Sequence, residues 1–519
     1  MRRVVLAVLV CAGMVAAMVA PGAAPSPPSV DYRPVTSMLT ACPQLTAAGQ
    51  ATNVLGALVA AEAPGSDAAD AQAQRPGSAA LRPLGASEDL VRLAAPGTPV
   101  TLRAVGSSQP AFVMQSDGTW APSALAGVVT RQREGDTQGL ASAACAPPGP
   151  HWWFVGGGSE LGRGTALLVS NPAEEPARFD IALHSGGGPV QALAGKGIDL
   201  GPRSSVRLRL DALAPDEELL AVEVRATSGR VAAAVRDVAV PSEDRPRGVD
   251  FIPPAQEPGT RLVVAGIPAG DGARQLVLVN PGTQFATVSP RLLTGVGRED
   301  VEGLAAIAVP AGAVIRVDLT RVLDGRSGTL DLTSDTPITG GARAEWGDAS
   351  RDDLWLAGAP LIGGPDPLGG AVAAAGPGLV TTVTVAAPDA EVRGTLTALT
   401  MTSTQVAGLS GTDAPDEAPS GPLPEPVAPD APVVTQPIQV VVPAGSKREI
   451  TIPGGGEDAV AGVTTLTWQS DPGSGPAAVM HVTLDAELPL ATGYPWWPVT
   501  SSVRSVAVRE DLGVLAPAR

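Results

Sequence analysis

Two stretches decide the fold: Thr165-Ala-Leu-Leu-Val-Ser-Asn171-Pro172 and Arg274-Gln-Leu-Val-Leu-Val-Asn280-Pro281. Each is an apolar run that ends in Asn-Pro, a turn signal that also cuts a strand. Val380-Thr-Thr-Val-Thr-Val-Ala-Ala-Pro388 has the same form with Ala in place of Asn. The prolines lie 109 residues apart (172 to 281) and then 107 apart (281 to 388). A second landmark follows each: Pro202-Arg-Ser-Ser-Val-Arg-Leu-Arg-Leu210, Pro310-Ala-Gly-Ala-Val-Ile-Arg-Val-Asp-Leu319 and Pro443-Ala-Gly-Ser-Lys-Arg-Glu-Ile-Thr-Ile452. A third reads as a hairpin: Val222–Val224 through Ser228-Gly229 to Val231–Val235. Its counterpart runs from Gly328–Leu332 through Ser334-Asp335 to Ala342–Trp346. Landmarks in one order at a period of about 108 residues predict internal repeats.

Each repeat reads as β. Val206, Leu208 and Leu210 alternate with Arg207 and Arg209, and Ile315, Val317 and Leu319 alternate with Arg316 and Asp318. Period-2 alternation places one face in a core and the other in water. Short strands between Gly, Pro and Asp turns predict an all-β chain of tandem immunoglobulin- or fibronectin-like sandwiches. The Cys…Trp…Cys core of antibody domains is absent. The expected organisation is a signal or anchor segment over 1–24 and a diverged β-rich domain over 35–150. Sandwiches follow over 151–250, 251–365 and 366–510. Within 35–150, Pro99–Val105 and Ala111–Met114 read as strands, and the Ala-rich Leu45–Glu62 reads as helical.

Two segments read as disordered. Ala63–Arg75 is small and polar. Thr412–Thr435 holds seven Pro, five acidic residues and no basic one, so it has nothing to bury. From the first proline to the second landmark, the span is 30 residues in the first repeat (172 to 202) and 29 in the second (281 to 310). It is 55 in the third (388 to 443). The 24 residues of 412–435 account for nearly all of the excess, so this segment is an insertion within the third sandwich.

The 519 residues carry a net charge of −17, which excludes the basic face a nucleic-acid protein needs. Apolar residues make up 44% of the chain but aromatics only 3%, so the cores are of Val, Leu, Ala and Ile. Only Lys196 and Lys447 are lysines; the other 33 basic residues are Arg, a bias of high-GC coding. Arg2 and Arg3 precede the uncharged run Val4–Ala20, the secretory pattern, which puts the chain that follows outside the cytoplasm. Neither candidate cleavage site is clean, because Pro21 or Pro25 follows it, so a cleaved signal and a retained anchor both stand. Cys11 lies inside the apolar run. Cys42 and Cys145 remain, and two cysteines in an exported chain read as one disulfide.

Candidate chemistry is sparse. His151, His184 and His481 have no metal-ligand spacing, and no Gly-x-Ser-x-Gly elbow accompanies them. His184 and His481 read as surface residues of strands. Gly156-Gly157-Gly158 lacks the Gly-Lys-Ser/Thr ending of a phosphate loop and reads as a flexible inter-domain turn. No catalytic, cofactor or metal residues are assigned. Trp152 and Trp153 precede the first repeat, and Trp496 and Trp497 follow the last. They read as plugs at domain edges, with sugar stacking as the second reading.

The leading segment, the early Cys pair, Trp153-Phe-Val-Gly-Gly157 and the Asn-Pro-ending strands resemble a family of actinobacterial secreted or envelope proteins. That family is catalogued only as a domain of unknown function. The resemblance implies an extracytoplasmic β-rich protein and carries no catalytic residues. The expectation is a non-catalytic envelope scaffold or interaction protein whose partner is an envelope protein or a cell-wall polymer. Membrane contact would be made only through the N-terminal segment. A carbohydrate-binding or carbohydrate-active protein using the Trp clusters is the alternative.

Overall fold

The structure, a computed structural model, describes residues 30–45, 51–60, 76–105, 110–135, 138–240, 248–301, 304–347, 352–364, 366, 368–403, 433–434, 437–454, 461–499 and 502–506. The segments 1–24 and 63–75, and all but two residues of 412–435, lie outside them. The chain divides into two compact units. In one, Val30–Pro34 pairs antiparallel with Ser502–Val506. The other, Thr36–Ser501, is built almost wholly of antiparallel sheets. Among the described residues no helix is long and apolar enough to cross a membrane.

Four sets of strands in this unit share one order. Thr52–Val59 lies between Val100–Val105 and Ala124–Gln132, and Gly139–Ala144 forms the edge. Ala166–Asn171 lies between Ser204–Arg209 and Ala232–Ala239, with Gly248–Ile252 at the edge. Arg274–Val279 lies between Val314–Asp318 and the second half of Gly328–Trp346, with Asp352–Ala357 at the edge. Leu379–Ala387 lies between Ser446–Pro453 and Ala478–Asp485, with Ala491–Pro495 at the edge. Each set shares an apolar core with further strands. The cores also run into one another: Val277, Val279 and Trp355 join the core of the second set.

In the second and third sets, the Asn-Pro strands and the alternating strands pair directly. Asn171 and Asn280 end their strands in the same way. Each is buried, and its side-chain amide donates to the carbonyl four residues on, Glu175 at 2.8 Å and Gln284 at 2.7 Å. Each side-chain oxygen accepts the amide two residues on, from Ala173 at 3.1 Å and Gly282 at 3.0 Å. One buried Asn side chain thus satisfies backbone groups on both sides of the turn that ends its strand.

The expected hairpins are not hairpins. Ala221–Ser228 pairs with His151–Val155 and Ala177–Ser185, whereas Ala232–Ala239 belongs to the other sheet. Ser228-Gly229 therefore carries the chain between layers. Its counterpart is one continuous strand, Gly328–Trp346. The first half of that strand pairs with Gly259–Ile267 and Ala286–Leu293, and the second half with Arg274–Val279. Two short apolar runs joined by a small polar pair fit either connection, so local pattern does not separate them.

The helical expectation for Leu45–Glu62 is also overturned, since Thr52–Val59 is a central strand. It is buried on both faces, which removes the alternation that marks a strand. A Cβ on Gly56 would come within 2.6 Å of Val463 in the strand Ala461–Ser470, which shows how closely that face is covered. The disulfide forms as expected. Cys42, at the end of Ser37–Cys42, bonds Cys145, just beyond Gly139–Ala144, across 103 residues. Closing such a loop is worth about 4–5 kcal/mol in the chain-entropy model, and the bond fits an extracytoplasmic location.

The strands flanking the predicted insertion pair with each other: Val392 opposes Val442 and Leu396 opposes Ile438.

The four edge strands close a ring. Gly139–Ala144 touches Gly248–Ile252, which touches Asp352–Ala357, which touches Ala491–Pro495, which touches Gly139–Ala144 again.

Candidate functional site

An edge strand offers a row of unpaired backbone N–H groups. Four such edges converge in the ring, away from water, so their donors need acceptors from side chains. Asp352 supplies one. Its Oδ2 accepts the amides of Leu140 at 3.1 Å and Ala491 at 2.9 Å, tying the first and fourth edges to the third. Asp250 supplies another. It accepts the amide of Trp355 at 3.0 Å, the Thr492 hydroxyl at 3.0 Å and the amide of Phe251 at 2.8 Å. Thr492 Oγ1 in turn accepts the Ser142 amide at 3.0 Å and lies 2.9 Å from Ser142 Oγ. One residue from each edge thus completes a polar hub.

Both hub carboxyls are fully buried. Burial pushes Asp250 well above the usual carboxylate range, and its hydrogen bonds from Trp355, Thr492 and Phe251 do not offset that; Asp237 beside it pushes the same way. Burial likewise drives Asp352 upward, with the charges of Asp250 and Asp353 adding to it, against the amides of Ala491 and Leu140.

A second layer adjoins this hub. Asp237 accepts Arg163 Nε at 3.1 Å, Thr165 Oγ1 at 2.7 Å and Trp355 Nε1 at 3.1 Å. Arg163 Nη2 also reaches Asp353 at 3.2 Å. Arg343 Nη2 meets Asp353 at 2.7 Å and Glu345 at 3.4 Å. The Arg163 and Arg343 guanidinium carbons lie 5.4 and 6.0 Å from the centre of the Trp355 ring. Burial pushes the Asp237 carboxyl up, but Arg163, Thr165 and Trp355 outweigh it and hold the group below its ordinary range. Burial opposes the charge of Arg163, yet Asp237 and Asp353 raise its pKa.

Local sequence explains the placement of Trp355. Gly156 and Gly157 have φ of 143° and 74°, and a Cβ on Gly156 would come within 2.5 Å of the Trp355 ring. Gly156 is therefore a tight seat for that ring, and Gly157 and Gly158 pack closely on Thr165 and Glu218, which corrects the expectation of a flexible turn.

The tryptophans flagged in the sequence do not gather in one site. Trp153 and Trp496 are buried, and neither presents a face to a sugar. Trp496 Nε1 donates to His481 Nδ1 at 3.0 Å. Trp152 and Trp497 are partly exposed, and Trp152 Nε1 donates to the Val231 carbonyl at 2.8 Å. His184 and His481 were expected on wet strand faces, but both are buried. His184 Nδ1 donates to the Gly312 carbonyl at 2.9 Å, and burial lowers His481 to about 3. The strand of His481 is buried on nearly every residue, whereas Ala177–Ser185 keeps a partly wet face and His184 is covered at its end, where it meets Gly312. His151 is half-buried between Glu223 at 2.7 Å and Glu257 at 2.8 Å.

Sequence reading missed the hub. Its signal is an acidic residue inside or heading an apolar strand: Asp237 in Ala232–Ala239, Asp250 in Gly248–Ile252, and Asp352 and Asp353 in Asp352–Ala357.

No curated protein matches the chain. The model of a family of unknown function, DUF5719, matches residues 100–410, more than half of the chain and including Asp237, Asp250, Asp352 and Asp353. With its all-β sheets, the chain belongs to this family of unknown function.

Proposed function

We propose that the protein is a non-catalytic scaffold or interaction protein of the cell envelope. Four diverged β-sandwich copies are joined at their edges, and the segment 1–24 exports them. The hub is the observation that carries the reading. Its buried polar side chains bind backbone amides and arginines of neighbouring strands, the chemistry of a rigid joint. The disulfide supports an extracytoplasmic setting, and the near absence of Lys supports a high-GC, actinobacterial source. Partial exposure of Trp152 and Trp497 favours the second reading, contact with a cell-wall polysaccharide.

The test is recovery of partners on the intact tagged chain from its own envelope membranes, with a Trp152→Ala/Trp497→Ala variant and isolated wall polymer in parallel. Specific recovery of an envelope protein supports the scaffold. Binding of polymer that the variant loses supports the second reading. An inactive alkaline phosphatase fusion after Arg519, in a chain of full length, would overturn export.

A further inference from the structure

We propose that Asp250 and Asp352 form a proton-held clasp: as neutral acids they fasten the four strand edges, and loss of their protons loosens the ring. The geometry carries this. Asp237 and Asp250 are directly opposed across an antiparallel pair. Two like charges in that position repel each other, and this pair is buried. Asp237 has Arg163, so Asp250 is the partner that gains by being neutral. Among the described residues, no Arg, Lys or His nitrogen lies in ion-pair range of Asp250 or Asp352. Among the described residues, buried Asp352 Oδ1 has no hydrogen-bond partner, and it packs on Gly248, where a Cβ would come within 2.1 Å of it. An ionised oxygen there would be a bare charge in a sealed core. The elevated carboxyl ranges of both groups agree with the geometry.

The charged and titratable groups around the clasp are accounted for by element. Gly139–Ala144 carries none, and Ala491–Pro495 carries Tyr494. Ala232–Ala239 carries Arg236 and Asp237. Asp352–Ala357 adds Asp353, and the adjoining half of Gly328–Trp346 adds Arg343 and Glu345. Arg131 of Ala124–Gln132 binds Asp485 of Ala478–Asp485, which also carries His481. Arg163 and Arg343 are engaged by Asp237 and Asp353.

The sign follows from the raised folded values. The native state holds protons that the unfolded chain releases above about pH 4. The clasp's contribution is therefore full below that pH and falls as pH rises toward the folded values. His481 acts oppositely: its folded value is lowered, so it favours the native state more as pH rises through about 6.5. The readout is therefore a difference against neutral isosteres.

Urea unfolding of the intact chain, Asp352→Asn and Asp250→Asn should be compared from about pH 5 to about pH 8. The expected result is that the wild type loses stability relative to each variant as pH rises. A flat difference, or one that grows with pH, overturns the clasp. If the variants fail to fold, the wild type alone decides: at neutral pH its infrared spectrum should contain the carbonyl band of a protonated, buried carboxyl. Absence of that band overturns the proposal.

Discussion

Asp352 and Asp353 are consecutive, equally buried and on one strand, yet they meet opposite kinds of partner. Their side chains point to opposite sides of the strand, as period 2 requires. Asp353 meets Arg163 and Arg343, whereas Asp352 meets the amides of Leu140 and Ala491. Residue type and burial are shared, so the difference lies in whether a guanidinium shares the pocket. Desolvation costs a buried carboxylate several kcal/mol, which a well-placed Arg can offset, whereas at Asp352 the amides of Ala491 and Leu140 do not outweigh it. The buried acids of the hub thus fall into two kinds: Asp237 and Asp353 are halves of ion pairs, whereas Asp250 and Asp352 accept hydrogen bonds from amides and a hydroxyl.

The largest expected effect comes from removing the cation. Arg163→Met strands Asp237 without its ion pair and frees the shared contact to Asp353. Denaturant titration should show a loss of about 3–5 kcal/mol. A loss under about 1 kcal/mol would mean that the two carboxyls do not differ as described. The next effect attacks the other side. Gly248→Ala adds a Cβ against Asp352 Oδ1 at a residue with φ of 148°, and should cost about 1–3 kcal/mol. The smallest change is Asp352→Asn at neutral pH, within about 1 kcal/mol of wild type, while Asp353→Asn costs clearly more because Arg163 and Arg343 each lose one of their two anions.

The comparison also has a pH signature. Asp237 has a lowered folded value, so its contribution is full above about pH 4 and vanishes as pH falls through the folded value. The wild type should accordingly show a steep loss of stability below about pH 4 that Asp237→Asn lacks. Equal acid limbs in the two proteins would remove Asp237 from the account.

Much of the fold was legible because most strands advertise themselves locally. Val206, Leu208 and their arginines sit on a half-wet edge strand, so alternation survives in the sequence. Asn171 and Asn280 end strands with a side chain whose chemistry is local, and the lone cysteine pair left one bond to draw. Thr52–Val59 was misread because two covered faces erase alternation. His184 and His481 were misread because what covers them is distant in the chain for one and on both faces for the other: His184 meets Gly312, 128 residues on, and the strand of His481 is buried on nearly every residue. The hub was invisible because its partners are far apart in sequence: an Asp in an apolar strand looks like an ordinary polar interruption until four edges meet around it.

The ring sets an order of events during folding. Ser142 and Thr492, which touch across the hub, are 350 residues apart in the chain. Leu140, on the first edge, and Asp352 are separated by 212. Such contacts close only after long stretches of chain have been made, and topologies dominated by distant pairings fold slowly. Individual sheets form from their own nearby strands, but their inner edges stay open until the last strand arrives. Until then each carries exposed amides of the kind that recruit other chains. A protein built this way is most vulnerable to aggregation in the interval between the first sheet and the last strand. The interval ends when Ala491–Pro495 docks, and a chain truncated before that strand should never leave it.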